Sequence, residues 1–168
     1  MNTLYIIQGF LGAGKTTHAK ALVRKTGAVR LTADEWCAEN FPPEKLSTAW
    51  NACFSEAIKA LWREAELLLE KDKSVILDFG FWNRTSRDEA RKKAKKLNVR
   101  CEHHYIYAPD HILLGRLKRR SGEIAMKNIQ NFTACKKLFE EPAEDERALW
   151  IESSSPRLEG GMYDGKLF

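Results

Sequence analysis

The sequence predicts an α/β fold, three layers deep around a mainly parallel sheet, and three observations carry that reading. Short apolar runs alternate with stretches of helical spacing along most of the chain. The run "SVILDFG" (74–80) stays apolar until its aspartate, as suits a strand covered on both faces. The first run, "TLYIIQ" (3–8), passes through the glycine-rich "GFLGAGKTT" straight into a helical pattern.

Each element follows from its own signals. After the glycine loop, helical spacing runs from Lys15 to a C-capping Gly27. A second short strand spans 28–34. A long helix is expected over 44–71, with Ala49, Ala52, Cys53, Ala57, Ala60, Leu61 and Leu68 near one stripe and Pro42-Pro43 ahead of it. The third strand is followed by a helix over 84–97, a strand over 99–107 and a helix over 109–120. Polar, poorly periodic residues over 121–141 are expected to form a flap. A last strand spans 147–153, and a loose tail follows at 156–168. The length of 168 residues suits a single domain, 1–168, with a short lid around 117–141.

Composition narrows the class. Hydrophobic residues make up 43% and charged residues 30%, ordinary for a globular domain. No apolar stretch reaches the length of a membrane span, and no charged-then-apolar leader opens the chain, so a cytoplasmic location with no membrane partner is expected. The four cysteines lack a C-x-x-C pair, which argues against a zinc ribbon or a disulfide framework; Cys53 and Cys101 read as core residues. A formal charge of +5 hints at anionic ligands, although "RKKAKKLNVR" (91–100) reads first as a solvated helix face.

Gly9, Gly14, Lys15 and Thr16 fit G-x-x-x-x-G-K-[ST], the Walker A phosphate loop. Its glycines, with Gly12 and Ala13 between them, let backbone N–H groups converge on one anion, and the following helix adds its positive end. In this reading Lys15 reaches the β- and γ-phosphates of ATP, Thr16 ligates Mg²⁺ and Thr17 touches the α-phosphate.

Other candidates gather at the carboxyl ends of the strands, where ligands of such folds bind. Asp34, in "LTADEW", is read as the base toward an acceptor hydroxyl, with a helix N-cap as its alternative and Glu35 as fallback. Asp78 takes the place of a Walker B acid holding Mg²⁺, or else caps the turn at Gly80. Arg116, Arg119 and Arg120 share one end of a helix, and guanidinium groups suit both stacking on a base and gripping phosphate. Arg84 and Arg87 open a helix, where a cation opposes the dipole; either an anionic neighbour, substrate or γ-phosphate, faces them or they pair with Asp88 or Glu89. Phe81 and Trp82 read as packing residues first and pocket lining second. The four histidines read as core or surface residues.

With these motifs in hand, the chain resembles the small P-loop kinases of the AAA_33-like, ATP-binding group related to zeta toxins, chloramphenicol phosphotransferase, gluconate kinase and the kinase half of polynucleotide kinase. The resemblance covers about 4–150 through "GFLGAGKTT", "LTADEW", "VILDFGFWNRTSRDEAR", "YAPDHILLGRLKRR" and "FEEPAEDE". It implies a nucleoside-kinase-like P-loop fold with five parallel strands in the order 2-3-1-4-5. It also implies Asp34 as base, and Arg116 and Arg120 on adenine and phosphates. The short lid lacks the arginine-rich insertion of nucleoside monophosphate kinases.

The expected activity is ATP- and Mg²⁺-dependent phosphoryl transfer to a hydroxyl of a small molecule, by a monomer or homodimer. Two alternatives stand beside it. One is a nucleic-acid 5′-hydroxyl kinase tracking its substrate along 91–100, weakened by the lack of interleaved aromatics there. The other is a nucleotide-binding ATPase or switch module.

Overall fold

The computed structural model describes residues 2–120, 122–154 and 165–167. In chain order the elements are β1 (Thr3–Gly9), α1 (Lys15–Thr26), β2 (Val29–Thr32), α2 (Ala33–Asn40), α3 (Pro43–Thr48), α4 (Trp50–Glu70), β3 (Val75–Gly80) and α5 (Arg84–Lys96). Then come β4 (Arg100–Tyr107), α6 (Asp110–Lys118), α7 (Glu123–Gln130), α8 (Phe132–Leu138), a 3-10 turn (Glu144–Glu146), β5 (Leu149–Glu152) and β6 (Gly165–Leu167). The sheet order is β2-β3-β1-β4-β5-β6, and the first five strands are parallel. This is the expected 2-3-1-4-5 order.

Three local expectations need correction. Residues 165–167 of the supposed loose tail add a sixth, antiparallel strand on β5, while 155–164 lie outside the described residues. The long helix is broken at Ala49 (φ −133°, ψ 36°), which ends α3 and starts α4. The expected flap is helical at 123–130 and 132–138, because Phe132 and Phe139 bury themselves on the first core cluster. Among the described residues no helix is long and apolar enough to cross a membrane.

The core follows from strand alternation. Along β1, Leu4 and Ile6 face one side of the sheet and Tyr5 and Ile7 the other. The first side is covered by α4 and α5, where Cys53, Ala57, Ala65, Ala90 and Ala94 keep the helices close to the strands. The second is covered by α1, α6 and α8 through Leu22, Leu113, Leu117 and Phe132. Ile6 and Ile7 are wholly buried, each stabilising by about 1.5–3 kcal/mol relative to an exposed side chain.

The segment "FEEPAEDE" is the clasp of this fold. The Glu140 carbonyl accepts from Gln8 Nε2 (2.7 Å) and Arg87 Nη1 (3.0 Å), and Glu140 N donates to Trp82 O (2.8 Å). Glu146 receives Arg87 at both oxygens (2.7 Å each) and Arg91 at 2.8 Å. The Arg87–Glu146 pair is nearly inaccessible, 1% on either side, so breaking it would leave a charge stranded in the interior. Tyr105 OH donates to Glu141 (3.1 Å), and Arg84 pairs with Asp145.

Buried groups also set the acid stability. Burial holds His18 and His103 neutral, each pKa falling from 6.5 to about 3. The unfolded chain takes up these two protons near pH 6.5 and the folded chain only near 3, so stability falls as pH drops through that interval. At Glu146 burial pushes upward, but hydrogen bonds from Arg87 and Arg91 outweigh it and hold the pKa at about 2, which adds a loss between pH 4.5 and 2. Urea unfolding should therefore show a lower midpoint at pH 5 than at pH 7. His103→Gln should lose a smaller share over that interval, and an equal loss would contradict the assignment.

Candidate active site

The site grows from the loop between β1 and α1. Gly12 and Gly14 adopt left-handed backbone (φ 78° and 96°), which turns the chain tightly enough to aim its amides inward. Gly9 is needed for a different reason: a Cβ there would lie 2.6 Å from the Ile106 carbonyl. No side chain caps the start of α1, so its first amides remain at the loop. Ala13 is wholly buried, and its amide closes the turn on Phe10 O at 3.1 Å.

Two anchors hold the loop from outside. Phe10 inserts among Trp82, Phe132 and Phe139 at centroid distances of 5.3, 5.1 and 5.4 Å. Arg116 Nη1 donates to Gly12 O (3.2 Å), Ala13 O (3.4 Å) and Ser153 Oγ (2.8 Å), and its Nη2 to Ser153 O (2.7 Å). Both terminal nitrogens of Arg116 are thus engaged in tying the phosphate loop to the residue that follows β5.

Lys15 lies between two carboxylates. Its Nζ donates to Phe10 O (3.1 Å). Burial lowers its pKa, Asp78 and Asp34 push it back up, and Arg120 lowers it further. Asp34 sits in the first turn of α2, two residues past the N-cap Thr32, so it does not serve as the cap. The residue keeps an exposed edge, yet protein crowding raises its carboxyl pKa. Lys15 opposes that rise, Asp78 and Glu35 reinforce it, and Arg120 opposes it. Arg120 is thus near enough to act on both Lys15 and Asp34, while Arg119 is the C-cap of α6, and both arginines are exposed.

Asp78 lies two residues before the end of β3 and is only 7% exposed. Thr16 donates its hydroxyl to this carboxylate, and Arg30 Nη1 reaches Asp78 Oδ2 at 3.2 Å. Burial raises its pKa while Lys15, Arg30 and Thr16 lower it. It does not cap the Gly80 turn. One hydroxyl and one carboxylate side by side form a hard oxygen pair that fits Mg²⁺, an ion that keeps several waters and takes only one or two protein carboxylates. Among the described residues no cluster of three or more His, Cys, Asp or Glu could hold a metal, which leaves a protein-only cage unsupported.

Arg84 and Arg87 are corrected. They were expected either to face an anionic substrate or the γ-phosphate or to pair with Asp88 or Glu89; Arg84 does pair with Asp88, and both arginines face carboxylates of the clasp. Arg87 is buried on Glu146, and it also donates to Phe81 O (3.2 Å). Arg84 pairs with Asp145 and with Asp88 (3.5 Å), while its amide donates to Glu140 Oε2 (2.7 Å). The cations at the start of α5 have an anionic neighbour, but it is the chain's own acidic segment. On the basic face of α5, Arg91 pairs with Asp88 and Glu146, and Lys93 with Glu66.

Arg30 escaped the sequence reading. A signal existed: Arg30 pairs with Ile76 across the sheet and Thr32 with Asp78, so Arg30 and Asp78 are diagonal neighbours on one face. Gly80 and Phe81 (φ 89° and 44°) form a left-handed turn beyond Asp78. Phe81 packs on Phe79, and a Cβ on Gly80 would meet the Trp82 indole at 3.1 Å. Trp82 joins the Phe10 cluster, as the packing reading had it.

The Gly9 contact yields a direct test. Gly9→Ala should fold, since the clash is local, and should lose the rise in melting temperature that ATP with Mg²⁺ gives the parent. An undiminished rise would show that the loop tolerates the methyl group.

A family profile described as an AAA domain, AAA_33, matches residues 4–142. No curated protein matches the sequence. Among solved structures, a sugar kinase from Janibacter sp. HTCC2649 is similar at TM-score 0.69 and 19% identity, over 93% of this chain and 88% of that one. A gluconokinase from Sinorhizobium meliloti 1021 is similar at 0.65 and 16%, over 92% and 84%. The APS kinase CysC of Mycobacterium tuberculosis, solved with AMPPNP and APS, is similar at 0.58 and 15%, over 92% and 90%. At these identities the likeness establishes the fold. With a phosphate loop between β1 and α1 and a family profile spanning most of its length, the chain belongs to the AAA_33 family of P-loop domains.

Proposed function

We propose that the protein is an ATP- and Mg²⁺-dependent phosphotransferase that moves the γ-phosphate to a hydroxyl of a small molecule. The observation that carries this reading is the charge cluster of Lys15, Asp34, Asp78 and Arg120, in which a carboxyl of raised pKa faces the phosphate-loop lysine. A carboxylate beside the phosphate loop can take the proton of an attacking alcohol. The kinases among the similar structures point the same way.

In this reading the loop amides of residues 12–17 hold the phosphates, and Lys15 and Arg120 grip the migrating group as its charge spreads over the outer oxygens. Thr16 and Asp78 would hold Mg²⁺, which when bound neutralises phosphate charge. Arg116 keeps the loop in shape by its bonds to Gly12 O and Ala13 O. Asp34 accepts the proton of the acceptor hydroxyl, its raised pKa making it a better base than an aspartate free in water.

Asp34→Asn keeps the shape and removes the base. It should leave the affinity for ATP within a few-fold while transfer falls by about 10²–10⁴. Transfer at the parent rate would remove Asp34 from the reaction. Thr16→Val should raise the Mg²⁺ concentration needed for half-maximal transfer, and an unchanged requirement would place the ion elsewhere.

A further inference from the structure

Within this phosphotransferase reading, we infer that the acceptor is a neutral or cationic hydroxyl compound, not one carrying a carboxylate, sulfate or phosphate. The inference comes from where the cations of the acceptor edge are spent. That edge is built by the end of β2, the first turn of α2, the turn after β3 and the start of α5. Its arginines are Arg30, Arg84 and Arg87, and carboxylates hold all three. Arg30 bridges Asp78 and Glu35 with its side chain 11% exposed. Arg84 is held by Asp145 and Asp88, and Arg87 is enclosed with Glu146.

An anionic acceptor group is normally gripped by a forked, bidentate guanidinium. Here each fork already has a carboxylate, and freeing Arg87 would leave Glu146 buried and short of its main counter-ion. Lys45, on α3, lies over the Phe41 ring at 4.2 Å, and Phe41 in turn packs on Trp36 at 5.8 Å.

The charges that act on Asp34 complete the argument. Two are the cations Lys15 and Arg120, and two are the acids Asp78 and Glu35. The phosphates of ATP claim both cations in the proposed reaction. The acceptor then stands beside Asp34, with Asp78 and Glu35 near and a polyanionic nucleotide in front of it. Asp78 and Glu35 share the single positive charge of Arg30, so together with Asp34 the group keeps net negative charge, and Glu35 keeps 54% of its side chain exposed. Like charge at close range disfavours an acid and favours an amine or an uncharged polyol.

The test is a panel of hydroxyl compounds in three matched groups: neutral polyols and sugars, amine-bearing ones such as amino sugars, and sugar acids with sugar sulfates. Each is incubated with enzyme, ATP and Mg²⁺, and phosphorylated product is read by mass. Products should come from the neutral and amine groups, with kcat/KM at least tenfold above any acid of the same size. Efficient products confined to the acid group would overturn the inference while leaving phosphotransfer in place. Product from no group, with ATP binding intact, would remove the phosphotransfer reading and this inference together. On the best acceptor, Glu35→Lys should improve the acid relative to the amine by about tenfold or more; an unchanged ratio would overturn the charge argument.

Discussion

A backbone that binds an anion with its own amides must keep side chains out of the cradle and still hold a fixed shape. That constraint organises this molecule. Gly9 is pressed against Ile106 O, and Gly12 and Gly14 take left-handed conformations, so the loop has no stiffness of its own. Rigidity comes from neighbours. Phe10 is locked in an aromatic cluster with Trp82, Phe132 and Phe139, and Arg116 pins two loop carbonyls to Ser153, which follows β5. The loop is therefore tied both to α8 and the residue after it and to the last parallel strand.

The same economy governs the acidic clasp. The Arg87–Glu146 pair holds the carbonyl of Phe81, and Phe81 belongs to the left-handed turn beyond Asp78. Glu140 then joins Gln8 on β1 to Trp82 after β3. Charges that seem, in sequence, to offer themselves to a substrate are spent on building the edge where the substrate would stand. The site is left with Lys15, Arg120, Asp34, Asp78 and Thr16 acting on one another, a small set that divides naturally between phosphate, metal and hydroxyl.

What could be read from the sequence was local. The glycine loop, the strand before it and the helix after it lie within two dozen residues, and Asp34 comes two residues after β2 and Asp78 near the end of β3, so their edge of the sheet was evident. The pairing of Arg84 with Asp88, one turn on, was open to a sequence reading, but Asp145 and Glu146 were hidden because they lie 61 and 59 residues from Arg84 and Arg87. Arg30 sits in a four-residue strand whose short pattern conceals its alternation, and only strand register exposes its pairing with Asp78. The helices α7 and α8, eight and seven residues long, are too short to display a period. Ala49 breaks a helix without any breaker residue to announce it, although Ala is the best helix former.

The central claim is that the first turn after β1 is a receptor for a polyphosphate. Calorimetric titration with ATP in the presence of Mg²⁺, run beside AMP and repeated on Lys15→Met, measures it most directly. The account predicts saturable heat with ATP, far weaker binding of AMP, and loss of most of the difference in the variant. Equal binding of AMP and ATP, or no heat from folded protein, would contradict it.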